Sequence, residues 1–235
     1  IMEAPLGDIM IFTTQGLNLD SWSLDPNDAI PDDVWQGAYE GIFRANLVIQ
    51  HVPDIVMDET EKNRIVGEAK FLRALFYWQL STVFGPVPIV TEADPSDPGK
   101  ARVPNSPLSD INALMTSDLK DASSILLKRS QYKTSDLGRA SKGAAQALLG
   151  KIYLYAGDYS NAALYLDSVI TSGEYQLMPN FSDLLITDNN AESIFEIQYA
   201  DLAGQGSARV ENDYPQGQGG FSNLLPTQHL VDAYE

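Results

Sequence analysis

Apolar residues recur every three or four positions in five separate stretches of this chain, the period of helices that bury one face. Trp35, Ala38, Ile42, Ala45 and Ile49 form one such stripe and predict a helix over 33–52. Pro31, Asp32 and Asp33 open it, placing acidic groups where a helix N-terminus carries partial positive charge. A second helix is predicted over 60–84 from Ile65, Ala69, Leu72, Phe76 and Leu80, with Asp58 and Glu61 spaced as a capping box. Phe71, Leu75 and Trp78 give it a second apolar face, so it is expected to be central and buried on most sides, ending at Gly85-Pro86. Trp35 and Trp78 lie on these stripes and are expected to fill the core. A third helix is predicted over 107–127, capped by Ser106 with Pro107 in its first turn. The fourth and fifth fall at 141–156 and 160–172, the latter closed by Gly173.

The stretches between these helices are of a different kind. LNLDSWSLDPNDAIPDD carries five aspartates and two prolines and reads as an ordered loop, while VPIVTEADPSDPGKARVPNSP, with five prolines, reads as an irregular connection. IFEIQY, residues 194–199, alternates apolar and polar side chains and predicts a short strand. ADLAGQGSARVENDYPQGQGGFSN, which follows, is glycine-rich and aperiodic, and a stretch of that length is either functional or disordered. Pro226 opens a last helical segment, TQHLVDAYE. The fold expected is mainly all-α, one domain over 1–235, with helical hairpins packed against a loop-rich region at about 174–225 that holds a short strand or hairpin.

The run LGKIYLYAGDYSNAALYL, residues 149–166, is more specific. With Gly150 at position eight of a tetratricopeptide repeat, Leu149, Tyr153, Gly157, Tyr159, Ala162 and Leu166 all fall on positions where that repeat of about 34 residues wants those residue types. Gly150 and Ala162 are small where two antiparallel helices cross, Tyr153 and Leu166 fill the space beside the crossing, and Gly157-Asp158 makes the turn. A single repeat cannot bury both its faces, so neighbours are expected to stack on it.

Composition then removes several functions. The formal charge is −17, from 32 acidic and 15 basic residues, and a field of that sign repels phosphate backbones, so nucleic acid is not an expected partner. Without cysteine there are no disulfides, thiolate zinc sites or cysteine nucleophiles. His51 and His229 lack metal-ligand spacing, and DPNDAIPDD lacks the glycine and closing glutamate of a calcium loop, so neither metal nor cofactor is expected. Neither a G-x-S-x-G elbow nor a phosphate loop is present, and abundant acidic residues alone do not identify a glycosidase pair, so an enzyme is not expected. No apolar run approaches the roughly 18 residues of a membrane-spanning helix.

GEAKFLRALFYWQLSTVFGPVPIVTE, SDLKDA, GRASKGAAQALLGKIYLYAGDYSNAALYLDSVITSGEYQL, ESIFEIQY and PTQHLVDAYE occur in that order, and together they resemble the SusD/RagB family of Bacteroidetes outer-membrane nutrient-binding lipoproteins. The resemblance covers most of the chain from about Trp35 onward. It implies four tetratricopeptide-like units beside a more irregular region, a lipid anchor at an N-terminal cysteine on the extracellular face of the outer membrane, and a SusC-like TonB-dependent transporter as partner. The cargo it implies is an oligosaccharide or polysaccharide, or another bulky nutrient, bound without chemistry. Family members are longer, so the chain is expected to lack a C-terminal part and an N-terminal stretch that includes the lipidated cysteine. A tetratricopeptide scaffold binding a peptide or protein in its groove is the alternative.

A glycan surface needs flat aromatic faces for the C–H side of sugar rings and polar side chains for their hydroxyls. Trp22, flanked by Asn18 and Asp20, fits that description in the loop before the first long helix, the region from which the resemblance draws aromatic contacts. Tyr214, Phe221, Asn212 and Arg209 of the glycine-rich loop are the second group of candidate contacts. Packing of Trp22 onto the core is the competing reading. Arg139, near a helix start, is badly placed for the dipole and is expected to have a structural partner such as a carboxylate.

Overall fold

The computed structural model describes residues 10–12, 29–92, 103–185, 187–198 and 224–226. The chain divides into two compact units, one of Ile1–Asp33 with Gln198–Glu235 and one of Val34–Ile197. In the first, β1 (Met10–Phe12) pairs antiparallel with β2 (Leu224–Pro226), Met10 opposite Pro226 and Phe12 opposite Leu224.

The second unit is helical: most of α1 (Ala29–His51), then α2 (Glu59–Phe84), α3 (Leu108–Ile125), α4 (Lys142–Tyr155) and α5 (Tyr159–Ile170). Single 3-10 turns at Val52–Asp54, Arg129–Gln131 and Thr134–Asp136 carry the chain between helices. Helix α2 packs on α3, α3 on α4 and α4 on α5. Their shared core holds Ile42, Phe71, Tyr77, Leu80, Ile111, Met115, Leu119, Leu149 and Ile152, all essentially without solvent contact.

Local chemistry accounts for the helix ends. The Asp58 carboxylate accepts from the Glu61 N–H at 3.0 Å, Ser141 accepts from the Ala144 N–H at 3.2 Å, and Asp158 accepts from the Asn161 N–H at 3.1 Å. Each satisfies one of the donors that a first turn leaves without a helical partner. Ser106, however, is not a cap. Pro107 occupies that position, and the Ser106 N–H instead donates to the Val87 carbonyl at 3.0 Å. Helix α1 begins at Ala29, four residues before the expected start, which leaves Pro31 inside its first turn, where a missing N–H costs no helical bond.

Three further expectations are corrected. Residues 194–198 form no strand: Phe195 packs edge-on against Phe71 at 4.9 Å and Glu196 accepts from the Asn189 N–H, so this segment is held by side chains on the bundle. Trp35 and Trp78 are half-buried on the edge of the core and do not fill it. The buried face of α2 holds Ala69 and Leu80 of the expected stripe together with Phe71, Ala74 and Tyr77, whereas Leu72 of that stripe is exposed. Apolar residues surround that helix almost completely, so periodicity alone could not orient it.

Candidate functional site

Helix α2 carries a charge into the core. Arg73 and Asp118 of α3 face each other with side chains only 8% and 5% exposed, in a bidentate pair of 2.7 Å (Nε to Oδ2) and 2.8 Å (Nη2 to Oδ1). The remaining fork nitrogen, Nη1, donates to Asn46 Oδ1 of α1 at 2.8 Å, and Asn46 Nδ2 donates to the Val90 carbonyl at 2.9 Å. Tyr77 closes the network, its hydroxyl accepting from the Val90 N–H at 2.7 Å and donating to the Val90 carbonyl at 3.1 Å. Beside it the Tyr39 hydroxyl donates to the Pro88 carbonyl at 2.8 Å. A buried guanidinium thus sets the segment after α2, where Gly85 takes a φ of +73° to turn the chain and Val87 is fully buried. Burial pushes the Tyr39 and Tyr77 hydroxyls above the usual phenolic range, so both stay protonated donors.

The α4–α5 hairpin places the repeat residues as follows. Leu149 and Ala162 are buried. A Cβ added at Gly150 would stand 2.7 Å from Leu166 and 3.4 Å from the Ala162 carbonyl, so the crossing is close enough to require glycine or a displaced Leu166. Tyr153 stacks on Tyr165 with rings 5.7 Å apart and nearly parallel. Gly157 turns the chain at a φ of +77°. Outside the core, Leu154, Tyr155, Tyr159, Leu164 and Ile170 are exposed, leaving apolar groups on the hairpin surface. Tyr155 meets Trp78 edge-on at 4.9 Å, and the Lys151 ammonium lies 5.4 Å from the Trp78 ring centre.

Asn18, Asp20 and Trp22 in the first candidate loop, and Arg209, Asn212, Tyr214 and Phe221 in the second, lie outside the described residues. So do Tyr199 and the segment 227–235. Arg139 donates to Glu68 of α2 at 3.0 Å and to Asp136 at 3.1 Å, the carboxylate partners expected of it.

The α3–α4 connection holds a feature that the helical pattern does not announce. A cleft of about 310 Å³ is lined by Arg129, Ser130, Tyr132, Leu137, Gly173 and Glu174, and a second of about 180 Å³ by Lys128, Lys142, Gly143, Gln146, Ser168, Ser172 and Glu174. Glu174 is common to both; its carboxylate accepts from the Ser130 N–H at 2.8 Å and the Ser130 hydroxyl at 3.0 Å. Arg129 donates one N–H to the Asn189 carbonyl and lies over the Tyr175 ring, 5.8 Å from its centre. Burial, reinforced by Glu68, pushes the Tyr132 hydroxyl up to about 12, and it donates to the Ala140 carbonyl at 2.9 Å. Among the described residues no group of His, Asp and Glu side chains is arranged to hold a metal ion, and no helix is long and apolar enough to cross a membrane.

Comparison with known proteins gives this arrangement its context. The SusD-like family described as starch-binding and associating with the outer membrane matches residues 10–154. A SusD-like protein of Formosa agariphila is 30% identical over 226 residues, covering 88% of this chain and 42% of that protein. A laminarin-binding SusD-like protein is 33% identical, with a TM-score of 0.73 over 80% of this chain and 41% of the other. A SusD-like carbohydrate-binding protein of Bacteroides fragilis superposes with a TM-score of 0.86 at 25% identity, over all of this chain and 46% of that one. The chain therefore spans a little under half the length of these relatives.

Proposed function

This chain belongs to the SusD-like family, and from that membership we propose that it is the helical part of a cell-surface glycan-binding protein that passes an oligosaccharide to a SusC-like TonB-dependent transporter in the outer membrane. The observation that carries the reading is the match of residues 10–154 to a family described as starch-binding. The similarity to a laminarin-binding protein at 33% identity supports a glycan as the ligand class. Binding proceeds without bond breaking.

We infer a division of labour between the bundle and the loops. The bundle is a rigid support whose buried Arg73–Asp118–Asn46 network fixes the exit of α2. Ring stacking by Trp22, with Asn18 and Asp20 on sugar hydroxyls, is the contact we assign to the first loop, and Tyr214, Phe221, Asn212 and Arg209 line the second. Attachment to the outer leaflet is through a lipidated cysteine upstream of this sequence. The exposed apolar groups of α4 and α5, among them Tyr155, Tyr159 and Leu164, support a protein partner on that side of the bundle; the transporter is the partner we assign to it.

Affinity electrophoresis of the full-length protein through gels containing laminarin, starch, xylan or no polysaccharide tests the reading. Retardation by at least one polysaccharide is expected, with no release of reducing ends. Mobility equal in every gel overturns it.

A further inference from the structure

The chain-wide charge conceals a local reversal. Residues 128–142, KRSQYKTSDLGRASK, hold five basic side chains, Lys128, Arg129, Lys133, Arg139 and Lys142, against the single acid Asp136, in a chain of net charge −17. One third of the protein's 15 basic residues thus fall in the connection between α3 and α4 and the first residue of α4. Arg139 is neutralised by Glu68 and Asp136. Lys128, Arg129, Lys133 and Lys142 form no ion pair among the described residues, although acidic side chains outnumber basic ones two to one over the chain. In so acidic a protein, cations gathered in one place without a counter-charge among the described residues are the less expected arrangement, and they point to an external anion.

The surroundings narrow the chemistry. Lys128 and Lys142 line one recess and Arg129 the other, and the two share Glu174. Arg129 is held in place by the Asn189 carbonyl and the face of Tyr175, and only one of its N–H groups is engaged, which leaves the rest of the fork for a carboxylate or sulfate. Gln146 lines the second recess, and the Ser130 hydroxyl, whose proton goes to Glu174, and the Glu174 carboxylate add acceptors. A carboxylate amid the cations would repel a simple anion or a phosphate headgroup. It suits a ligand that presents hydroxyl protons and an acidic group together. Recesses of about 310 and 180 Å³ admit a ring-sized group where a flat membrane surface would not enter.

We infer that the paired clefts around Glu174 bind acidic residues of a glycan, a carboxylate- or sulfate-bearing oligosaccharide, with Arg129, Lys128 and Lys142 on the anionic groups and Glu174 and Gln146 on the hydroxyls. The site lies within the Val34–Ile197 unit and uses none of the loop residues assigned above; it rests on the reading of the protein as a glycan binder and specifies the glycan's charge.

The probe is an oligogalacturonate of fixed length and its fully methyl-esterified form, which differ in the charge and one methyl group at each carboxyl, titrated calorimetrically into the full-length protein at low and high salt. The free acid binds at least about tenfold more tightly than the ester at low salt, as expected for a charge-assisted hydrogen bond, and the gap closes at high salt. Combining Lys128→Gln, Arg129→Gln and Lys142→Gln removes the preference; the pair Lys128→Gln, Lys142→Gln, which breaks no fold contact, lowers it at least about threefold if the triple variant does not fold. Equal affinity for acid and ester, or variants that keep the preference, overturns the inference and leaves the glycan reading standing. The same holds if laminarin still retards the protein but neither galacturonate form binds. Loss of all glycan binding overturns both. Vesicles of phosphatidylglycerol that bind the protein and are not displaced by the free acid would assign the cations to a membrane surface instead, against the inference.

Discussion

Replacing Asp118 by alanine leaves the Arg73 guanidinium in the core with no counter-charge. Both side chains are more than nine-tenths buried, and the pair is joined by two hydrogen bonds of 2.7 and 2.8 Å, so water cannot take over the lost contacts. Removing one partner of such a pair typically costs about 3–5 kcal/mol, most of it the desolvation of the orphaned charge. That is a large part of the roughly 5–15 kcal/mol that holds a domain folded. At about 2–4 °C per kcal/mol for a unit of this size, the midpoint of thermal unfolding is expected to fall by about 6–20 °C. Circular dichroism of the helical signal during heating measures this directly. The double variant Arg73→Met, Asp118→Leu removes both charges and is expected to recover most of the loss, because an apolar pair of similar volume carries no desolvation debt. It still forfeits the Arg73 bond to Asn46, so recovery is incomplete by about 1 kcal/mol. A single variant within about 2 °C of the parent, or a double variant less stable than the single one, would refute the reasoning.

Other perturbations follow from the same geometry. Tyr77→Phe removes the acceptor of the Val90 N–H and is expected to cost about 1–3 kcal/mol, with faster hydrogen exchange at the Val90 amide as its specific mark. Gly150→Ala forces Leu166 aside and is expected to destabilise by about 1–3 kcal/mol, measured by urea unfolding. Tyr39, Tyr77 and Tyr132 all have phenolic pKa values raised by burial, so their contribution is fully present below the unfolded value near 10 and is lost as pH rises through the higher folded values. Unfolding midpoints should therefore fall steeply above about pH 10, and a midpoint flat to pH 12 would contradict the burial of these hydroxyls. Tyr159→Asp with Leu164→Asp should abolish co-purification with the proposed transporter partner while leaving the unfolding midpoint within about 2 °C of the parent, since both side chains are exposed.

The helices were legible because each is written locally. Asp58 caps where the spacing placed a cap, Ser141 and Asp158 cap helices that start within a residue of the expected positions, and the tight crossing at Gly150 matches the small residues that suggested it. What periodicity could not supply is orientation: α2 is apolar nearly all round, so its inward face was settled by Arg73, whose burial depends on Asp118, 45 residues later. A charged residue in a helical pattern reads as solvent-facing until its partner is known. IFEIQY misled for a related reason. Alternation marks a strand only if a neighbouring strand accepts its hydrogen bonds, and here Phe71 and Asn189 take up the segment's side chains instead. The basic connection at 128–142 stood in the sequence throughout, hidden by averaging charge over the whole chain. Its significance lies in the cations that have no counter-charge among the described residues, which a linear reading does not show.

The central claim is that this scaffold serves a glycan-binding protein whose contacts come from loop aromatics. Isothermal titration of the full-length protein and its Trp22→Ala variant with the best-retained oligosaccharide tests it most directly. Stacking of one ring on an aromatic face is worth on the order of 1 kcal/mol or more, so the variant is expected to bind at least about fivefold more weakly at an unchanged unfolding midpoint. Equal affinity in parent and variant would contradict the assignment of Trp22, and heat-silent titrations across neutral and acidic glycans alike would contradict the account as a whole.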